Sequence, residues 1–393
     1  MSQTGGAGSS KQPRILVVYD YFSPAFRAGG PVVSLANLVR FLADKAQVSV
    51  FARNRDLDGS VLPVESDRWL AWPDGGQVLY AQQRWSFVGL WRAIRERQPD
   101  IIYINGVFSP VVSLMPLLVQ PWVAPQSQLI LAPRGMLQKQ ALAVKALKKR
   151  LYLSLLLFPL LRRRSVQIHV TGPEEAADLP LRIRANLATV PTQLGNLPRL
   201  NLPFRGVHLL GKPPSLVTMA LISPMKNILP VLHALAHVEA PLHYHLYGPI
   251  KDRAYWQQCQ QAAQNLPAHI QFTYHGALPH AQVPEVLARY DVAVQPSRSE
   301  NFGHALFEAM MLGLPLLTSR HTPWNGLNEQ GAGWNVPGED VKALTEVLSA
   351  ITHLEQSTFE RMSRQARQVA QHYVEQQGLQ QGYSDLFQLE PVT

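Results

Sequence analysis

Hydrophobic positions along the chain form two successive series of short apolar runs, and each run is followed by a segment with helical spacing. The runs are continuous rather than alternating, which is typical of strands buried on both faces of a parallel sheet. The first series predicts strands at 14–19, 48–52, 100–105, 128–132 and 167–170, and the second at 216–222, 242–247, 270–274 and 292–295. The repeated order of strand and helix predicts an α/β protein.

The proline-rich segment 198–214 separates the two series and shows little periodicity, which indicates a linker. We therefore predict two doubly wound, parallel-sheet, Rossmann-like domains over residues 14–205 and 206–373, facing each other across a cleft. Residues 1–13 contain Gly, Ser and Gln but no apolar core, which predicts a disordered lead rather than a signal peptide.

One stretch, residues 291–319, combines a strand, a polar turn, a helix and a second strand. Helix formers fill 305–312, and Gly313 to Pro315 stop the helix. A helix that begins near Gly303 leaves its first amides without internal partners, and its dipole favours an anion there. Because open α/β sheets bind ligands at the carboxyl ends of strands, this turn is the predicted ligand site.

Two carboxylates bracket the turn, Glu300 before the helix and Glu308 within it. Glu308 is the only charged residue between Asn301 and Ser319, and its neighbours are apolar nearly all round the helix, which predicts burial. A buried carboxylate needs a hydrogen-bonding or charged partner. A ligand with two neighbouring hydroxyl groups would supply one, and a structural ion pair is the alternative.

This stretch resembles the signature of the retaining, two-domain nucleotide-sugar glycosyltransferases of the GT-B fold, family 4 (glycosyl transferases group 1) in particular. The signature positions present are Ser297, Glu300, Gly303, Glu308, Ala309, Gly313 and Pro315. The resemblance implies that Glu300 is catalytic and contacts the ring hydroxyls of the transferred sugar, and that Glu308 binds the ribose diol of the donor. The implied diphosphate-binding loop consists of Asn301, Phe302, Gly303 and His304.

Further donor contacts follow from the same resemblance. Gly29 and Gly30 precede the helix predicted at 32–42 and correspond to glycines that approach the donor phosphates, although a glycine pair is also an ordinary turn. Gly276 lies in a turn that approaches the base in relatives. The resemblance also implies a C-terminal helix, 374–390, that packs back on the first domain.

The cations of the implied phosphate clamp depart from the family pattern. Lys226 corresponds to the family's phosphate-binding lysine, but Leu221 stands where the family usually has an arginine. Arg134 follows the strand 128–132, where a permanently charged guanidinium could stabilise a departing diphosphate. Packing of Arg134 against the next helix is the alternative, and either Arg134 or Arg298 could supply the missing charge.

Composition and charge limit the classes of partner and of binding site that the chain can have. The formal net charge of +9 and the pI near 9.7 favour an anionic partner, although a spread surplus also simply aids solubility. No nucleic-acid-binding motif accompanies the charge, and the single cysteine, Cys259, excludes a Cys-rich metal site. Asp56 and Asp58 form an Asp-x-Asp that could hold a divalent metal, but a polar loop is the favoured interpretation. We predict no metal and no cofactor, since the nucleotide sugar is a co-substrate.

Residues 139–164 combine basic clusters with an apolar run, 151–161, that is too short to span a bilayer and contains Pro159. Such a segment either lies on an anionic membrane or forms a core helix with solvated ends.

We interpret the chain as a cytoplasmic retaining glycosyltransferase that transfers a sugar from a nucleotide-diphosphate donor to a glycan or lipid-linked acceptor. Association with the inner face of the membrane is an open alternative to a location away from it. Cell-surface polysaccharide assembly is the expected setting. A nucleotide-sugar epimerase or phosphorylase of the same fold, or a non-catalytic interaction subunit, remains the alternative.

Overall fold

The protein forms two compact α/β units, Met1–Leu197 together with Gly378–Thr393, and Pro198–Gln377. The computed structural model describes residues 12–83, 85–143, 146–162, 165–184, 191–207 and 213–389. Residues 1–11, most of the predicted disordered lead, lie outside the described residues. The predicted fold class, two parallel-sheet α/β domains, is confirmed.

The first unit is built on one large sheet. Its strands are β1 (Arg14–Val18), β2 (Gln47–Arg53), β3 (Trp69–Ala71), β4 (Gln77–Ala81), β5 (Ile101–Asn105), β6 (Gln128–Ala132), β7 (Val166–Val170) and β8 (Thr192–Gln193). Among the described residues they are ordered β3-β4-β2-β1-β5-β6-β7-β8. The pairings are parallel except that of β3 with β4.

The second unit has a smaller sheet in which the strand pairings are parallel. Its strands are β9 (Ser215–Met219), β10 (Leu242–Tyr247), β11 (Ile270–Tyr274), β12 (Val292–Gln295), β13 (Leu316–Ser319) and β14 (Gly333–Val336). Among the described residues their order is β11-β10-β9-β12-β13-β14. Successive strands are added on one side of β9 as far as β11 and on its other side from β12 onwards. Folds of this kind bind ligands at the point where the strand order reverses, here between β9 and β12.

Helices connect the strands in both units. Those of residues 30–184 are α1 (Gly30–Leu42), α2 (Phe87–Arg97), α3 (Met115–Val123), α4 (Lys139–Ala143), α5 (Ala146–Tyr152), α6 (Phe158–Arg162), α7 (Pro173–Asp178) and α8 (Leu181–Arg184). The later ones are α9 (Ile228–Leu235), α10 (Arg253–Gln264), α11 (Val283–Leu287), α12 (His304–Leu312), α13 (Val341–Thr352), α14 (Gln356–Gln376) and α15 (Leu379–Leu386). Short π-helical turns, Pro110–Leu114 and Leu153–Leu157, precede α3 and α6.

Each sheet is buried by apolar helix faces. One face of the first sheet packs against α2, α3 and α6. In the second unit, one face packs against α9, α10 and α13, and the other against α11, α12 and α14. The C-terminal helix α15 belongs to the first unit, where the Tyr383 hydroxyl donates to the Gly195 carbonyl at 3.0 Å and the Phe387 ring lies 5.4 Å from that of Tyr103.

One predicted helix cap is wrong. The sequence Thr171-Gly172-Pro173-Glu174-Glu175 predicts Thr171 as the N-cap of a helix that starts at Pro173, but the cap of α7 is Gly172, and Pro173 occupies the first helical position. The Glu175 carboxylate instead accepts from both the backbone amide and the hydroxyl of Thr171, each at 2.7 Å. The acidic residue in the first turn therefore holds the preceding segment, and the threonine oxygen is not available to the helix.

Candidate functional site

The predicted ligand turn follows β12 and ends at a glycine that opens α12. Gly303 has φ +76°, in the left-handed region, and it is the N-cap of the helix His304–Leu312. A Cβ at this position would lie 3.1 Å from Leu306 Cδ1 and 3.5 Å from Trp324 Nε1. Glycine therefore permits both the turn and its close packing, and α12 presents the amide end of its first turn at the carboxyl end of β12.

Buried aromatic packing holds this turn in place. Phe302 is buried, its carbonyl accepts from Trp324 Nε1 at 2.7 Å, and its ring lies 5.3 Å from Trp324, 5.7 Å from Tyr373 and 4.8 Å from His304. Asn301 is exposed at the tip. Buried Phe302 thus fixes the loop predicted to bind diphosphate, whereas Asn301 and His304 remain at least partly exposed.

The Glu300 carboxylate is held by three donors on one oxygen. Oε1 accepts from Gln295 Nε2 at 2.6 Å, from the Ser297 hydroxyl at 3.1 Å and from the Lys226 ammonium. Only 18% of the Lys226 side chain and 11% of the Glu300 side chain are exposed. The structure therefore brings together two of the predicted site residues, Glu300 and Lys226, and adds Gln295, which we did not predict.

Lys226 lies on a turn, Pro224–Lys226, that is tied to the same loop. The Asn227 side-chain amide donates to the Pro296 carbonyl at 2.9 Å, and the Arg298 amide donates to the Met225 carbonyl at 2.8 Å. The Arg298 guanidinium lies beside this turn, with Nε 2.7 Å from Glu339 Oε1. A second cation is thus present near Lys226, but in this structure it is paired with a glutamate.

Glu308 is the buried carboxylate that the apolar helix predicted, with only 1% of its side chain exposed. Oε1 lies 3.0 Å from Nε2 of His280, but the contact lacks hydrogen-bond geometry, and neither carboxylate oxygen accepts a hydrogen bond from the described residues. His280 belongs to a 3₁₀ turn, His280–Gln282, and about a quarter of its side chain (24%) is exposed. Glu308 therefore has unused acceptor capacity in a site that water hardly reaches.

Gly276 follows β11 in a turn with φ +79°, and its carbonyl accepts from the Gly248 amide at 2.8 Å. The adjacent His275 ring is stacked on Tyr247, with centroids 4.3 Å apart, and His275 Nε2 lies 2.9 Å from His245 Nδ1. Burial and the neighbouring His275 lower the pKa of His245 to about 4. The stacked rings of Tyr247 and His275 thus form a flat surface beside the turn predicted to approach the base.

Arg134 lies in the first unit, directly after β6, with φ +54°. Its guanidinium donates to Asn105 Oδ1 at 2.8 Å, Asn196 Oδ1 at 2.7 Å and the Tyr103 hydroxyl at 2.8 Å. The Tyr103 hydroxyl lies 2.8 Å from His169 Nδ1, and burial, followed by the Arg134 charge, lowers the pKa of His169 to about 3. Arg134 is therefore a fixed charge within a polar network, and its predicted part in catalysis stays a prediction.

The paired glycines are also in the first unit. Gly29, with φ +73°, is the N-cap of α1, and Gly30 is its first residue. The Asp56 carboxylate accepts from the amides of Phe26 and Arg27 in the same loop, at 3.1–3.2 Å. Asp56 therefore has a structural role in holding the glycine loop. In the part of the chain that the structure describes, no group of three or more His, Cys, Asp or Glu side chains is arranged to hold a metal ion.

Comparison with known proteins agrees with this geometry. Residues 204–369 match the family model described as glycosyl transferases group 1. A segment of 120 residues is 30% identical to the putative colanic acid biosynthesis glycosyltransferase WcaL of Escherichia coli (strain K12), covering 29% of this chain and 30% of that protein. The aligned segment thus spans less than a third of the curated relative.

The whole chain resembles solved structures at low identity. Sucrose-phosphate synthase from Thermosynechococcus elongatus superposes with a TM-score of 0.70 at 20% identity, covering 95% of this chain and 99% of that chain. Anabaena Alr3699/HepE, solved in complex with UDP and glucose, gives 0.66 at 16% identity with the same coverage. These similarities establish the two-domain GT-B fold.

Proposed function

We propose that the protein is a retaining glycosyltransferase that uses a nucleotide-diphosphate sugar, on the premise that residues 204–369 match the family model described as glycosyl transferases group 1. The sugar is transferred to a glycan or lipid-linked acceptor, and the nucleotide diphosphate leaves. The proposal places the protein in the cytoplasm, in cell-surface polysaccharide synthesis, with residues 139–164 in peripheral contact with an anionic membrane. The similarity to a colanic acid glycosyltransferase supports that setting.

The observation that carries the proposal is the buried Glu308 carboxylate. Its oxygens receive no hydrogen bond from the described residues, although burial of a charge without donors is costly. Two neighbouring ribose hydroxyls are a matched pair of donors for one carboxylate. The buried carboxylate therefore needs hydrogen-bond donors, and the ribose of a nucleoside would supply them.

The remaining roles follow from charge. The first turn of α12 and the Lys226 ammonium supply positive potential for the diphosphate, and Glu300 contacts the sugar, where positive charge develops as the glycosidic bond breaks. In this proposal these groups neutralise the leaving diphosphate without a metal ion. The proposal keeps the roles predicted for Gly29 and Gly30, at the donor phosphates, and for Arg134, at the departing diphosphate.

A nucleotide-sugar panel tests the proposal. Thermal unfolding is measured with UDP- and GDP-sugars for the unaltered protein, for Glu308→Gln, and for Glu285→Gln as a matched control on α11. Glu285 is exposed and paired with Arg289, so its replacement should change nothing. A true donor at 100 times its Kd adds about 2.7 kcal/mol of stability, and Glu308→Gln should remove most of that gain.

The chemical step is measured with the donor that stabilises the protein. Sugar transfer to an added acceptor, with retention at the anomeric carbon, supports the proposal. Isomerised or phosphorolysed sugar formed without any acceptor would favour the epimerase or phosphorylase alternative. Stabilisation by no nucleotide sugar, or stabilisation unaffected by Glu308→Gln, would overturn the proposed donor site.

A further inference from the structure

The positive charge of the protein is concentrated in one stretch of the first unit. Residues 101–173 contain nine Lys and Arg and no Asp or Glu, while the other 27 Lys and Arg balance the 27 Asp and Glu of the whole chain. The nine cations are Arg134, Lys139, Lys145, Lys148, Lys149, Arg150, Arg162, Arg163 and Arg164. Lys145, Arg163 and Arg164 lie outside the described residues. The net charge of +9 therefore comes from a single continuous segment.

Within that segment, residues 146–162 form one helical run whose two faces are both apolar. Leu153 and Leu157 are buried in the core of the unit. On the outer face, Leu147, Leu151 and Leu155 recur every four residues and are 72%, 50% and 67% exposed. A solvated helix face is normally polar, so this apolar row lacks an explanation within the unit.

Neighbouring helices add to the same outer layer. Helices α2, α3 and α6 pack into one core cluster, and α8 contacts α6. The outward residues of α3 are Leu118 and Trp122, of which Trp122 is 86% exposed, and α2 contributes Phe87 and Val88. Leu181 of α8 is 80% exposed. We call this set of outward residues on α2, α3, 146–162 and α8 the apolar–basic face.

The cations of this face are identified by their exposure. Lys148, Arg150 and Arg162 are exposed beside the leucine row. Lys149 points inward, where its ammonium donates to the Ala141 carbonyl and lies 5.0 Å from the centre of the Phe108 ring. Lys149 is therefore committed to the unit and contributes little to an external contact.

We infer that the apolar–basic face docks on an anionic lipid bilayer. The leucine row and Trp122 enter the interface, and Lys148, Arg150 and Arg162 lie at the level of the anionic headgroups. Within the described residues, no helix combines the length and the apolar character needed to cross a bilayer. The inference rests on the proposed membrane contact of residues 139–164 and extends it to α2, α3 and α8.

Charge and apolarity together select the bilayer over other partners. A second copy of the chain on this face would oppose two strongly basic surfaces, which repel each other. A nucleic acid would neutralise the cations but leave the leucine row exposed to water. An anionic bilayer satisfies both the cations and the leucines.

Co-sedimentation with vesicles tests the inference, using phosphatidylcholine with and without phosphatidylglycerol. The unaltered protein is compared with Leu151→Ser/Leu155→Ser, Trp122→Ser, Lys148→Glu/Arg150→Glu and Lys149→Gln. Leu57→Ser, at a 54% exposed leucine of another loop, is the matched control. We expect binding only to anionic vesicles, weakened by salt, reduced at least tenfold by each double variant and severalfold by Trp122→Ser. Lys149→Gln and Leu57→Ser should bind as the unaltered protein does.

Thermal stabilisation by nucleotide sugar, measured without vesicles, separates this inference from the proposed function. A double variant that loses vesicle binding but is still stabilised by the donor supports docking of the apolar–basic face on the bilayer. Binding that is equal on neutral vesicles, or unaffected by both double variants, would overturn it. So would a dimer of the unaltered protein in sedimentation analysis that the leucine variant converts to a monomer.

Discussion

Replacing Glu308 with an apolar residue of similar length should stabilise the protein in the absence of donor. The carboxylate is fully buried, and neither oxygen accepts a hydrogen bond from the described residues. Oε1 lies 3.0 Å from His280 Nε2, and this contact lacks hydrogen-bond geometry. Glu308→Met removes the desolvated carboxylate.

The magnitude follows from exchanges of this type. Burial of a polar group without a compensating hydrogen bond costs about 1–3 kcal/mol in protein mutational data, and removal of the group should recover that cost. A gain of about 2 kcal/mol in a unit of this length raises Tm by about 4–8 °C. The same variant should lose the extra stabilisation that a nucleotide sugar gives, because the diol loses its acceptor.

Differential scanning calorimetry with and without donor measures both effects, and Glu285→Met, at an exposed site, should leave Tm within about 1 °C. A fall in Tm of several degrees for Glu308→Met without donor would show that the carboxylate has strong partners in the free protein. A rise in Tm with donor stabilisation intact would refute its role in binding.

Other variants and conditions give separate tests. Glu300→Gln should lower kcat about a hundredfold, whereas Glu308→Gln should chiefly raise the donor KM; equal losses in kcat alone would contradict this division. Gln295→Leu removes the 2.6 Å donation to Glu300 and should lower kcat about tenfold with little change in KM, and unchanged kinetics would make that hydrogen bond irrelevant. Transfer should survive EDTA, and complete loss with rescue by Mn²⁺ or Mg²⁺ would require a metal. Because the folded-state pKa of His169 is lowered to about 3, the unfolded chain binds a proton that the native protein does not, so stability should fall by about 1.4 kcal/mol per pH unit below 6.5; His169→Asn should remove that slope in urea titrations.

The interior strands could be predicted from sequence because they are continuous apolar runs. The predicted strands at 128–132, 242–247, 270–274 and 292–295 have the bounds that the structure gives. The antiparallel pair β3 and β4 was missed. Strand β3 is a three-residue edge strand that is only partly buried and has no comparable apolar signal, whereas β4 is buried at 78–81 and its short apolar run was overlooked. Strand β14 was also missed, since its segment begins with a glycine and has only two fully buried residues.

The site could be predicted only in part. The burial of Glu308 followed from the apolar helix around it. Its neighbour His280 lies 28 positions earlier, and only the packing of α11 against α12 brings the two together. Gln295 left a weak local signal, as the single polar residue at the end of an apolar strand, but its donation to Glu300 depends on the backbone path of the loop.

The contact between Lys226 and Glu300 pairs the cation and the anion of the site with each other. A free phosphate that attracts Lys226 removes the cation from Glu300, and a free sugar that occupies Glu300 removes the anion from Lys226. On the proposed function, only a molecule with the anion and the sugar joined compensates both residues at once. On that proposal the site binds the intact donor more tightly than phosphate or sugar alone. After transfer, the ion pair forms again and favours release of the nucleotide diphosphate.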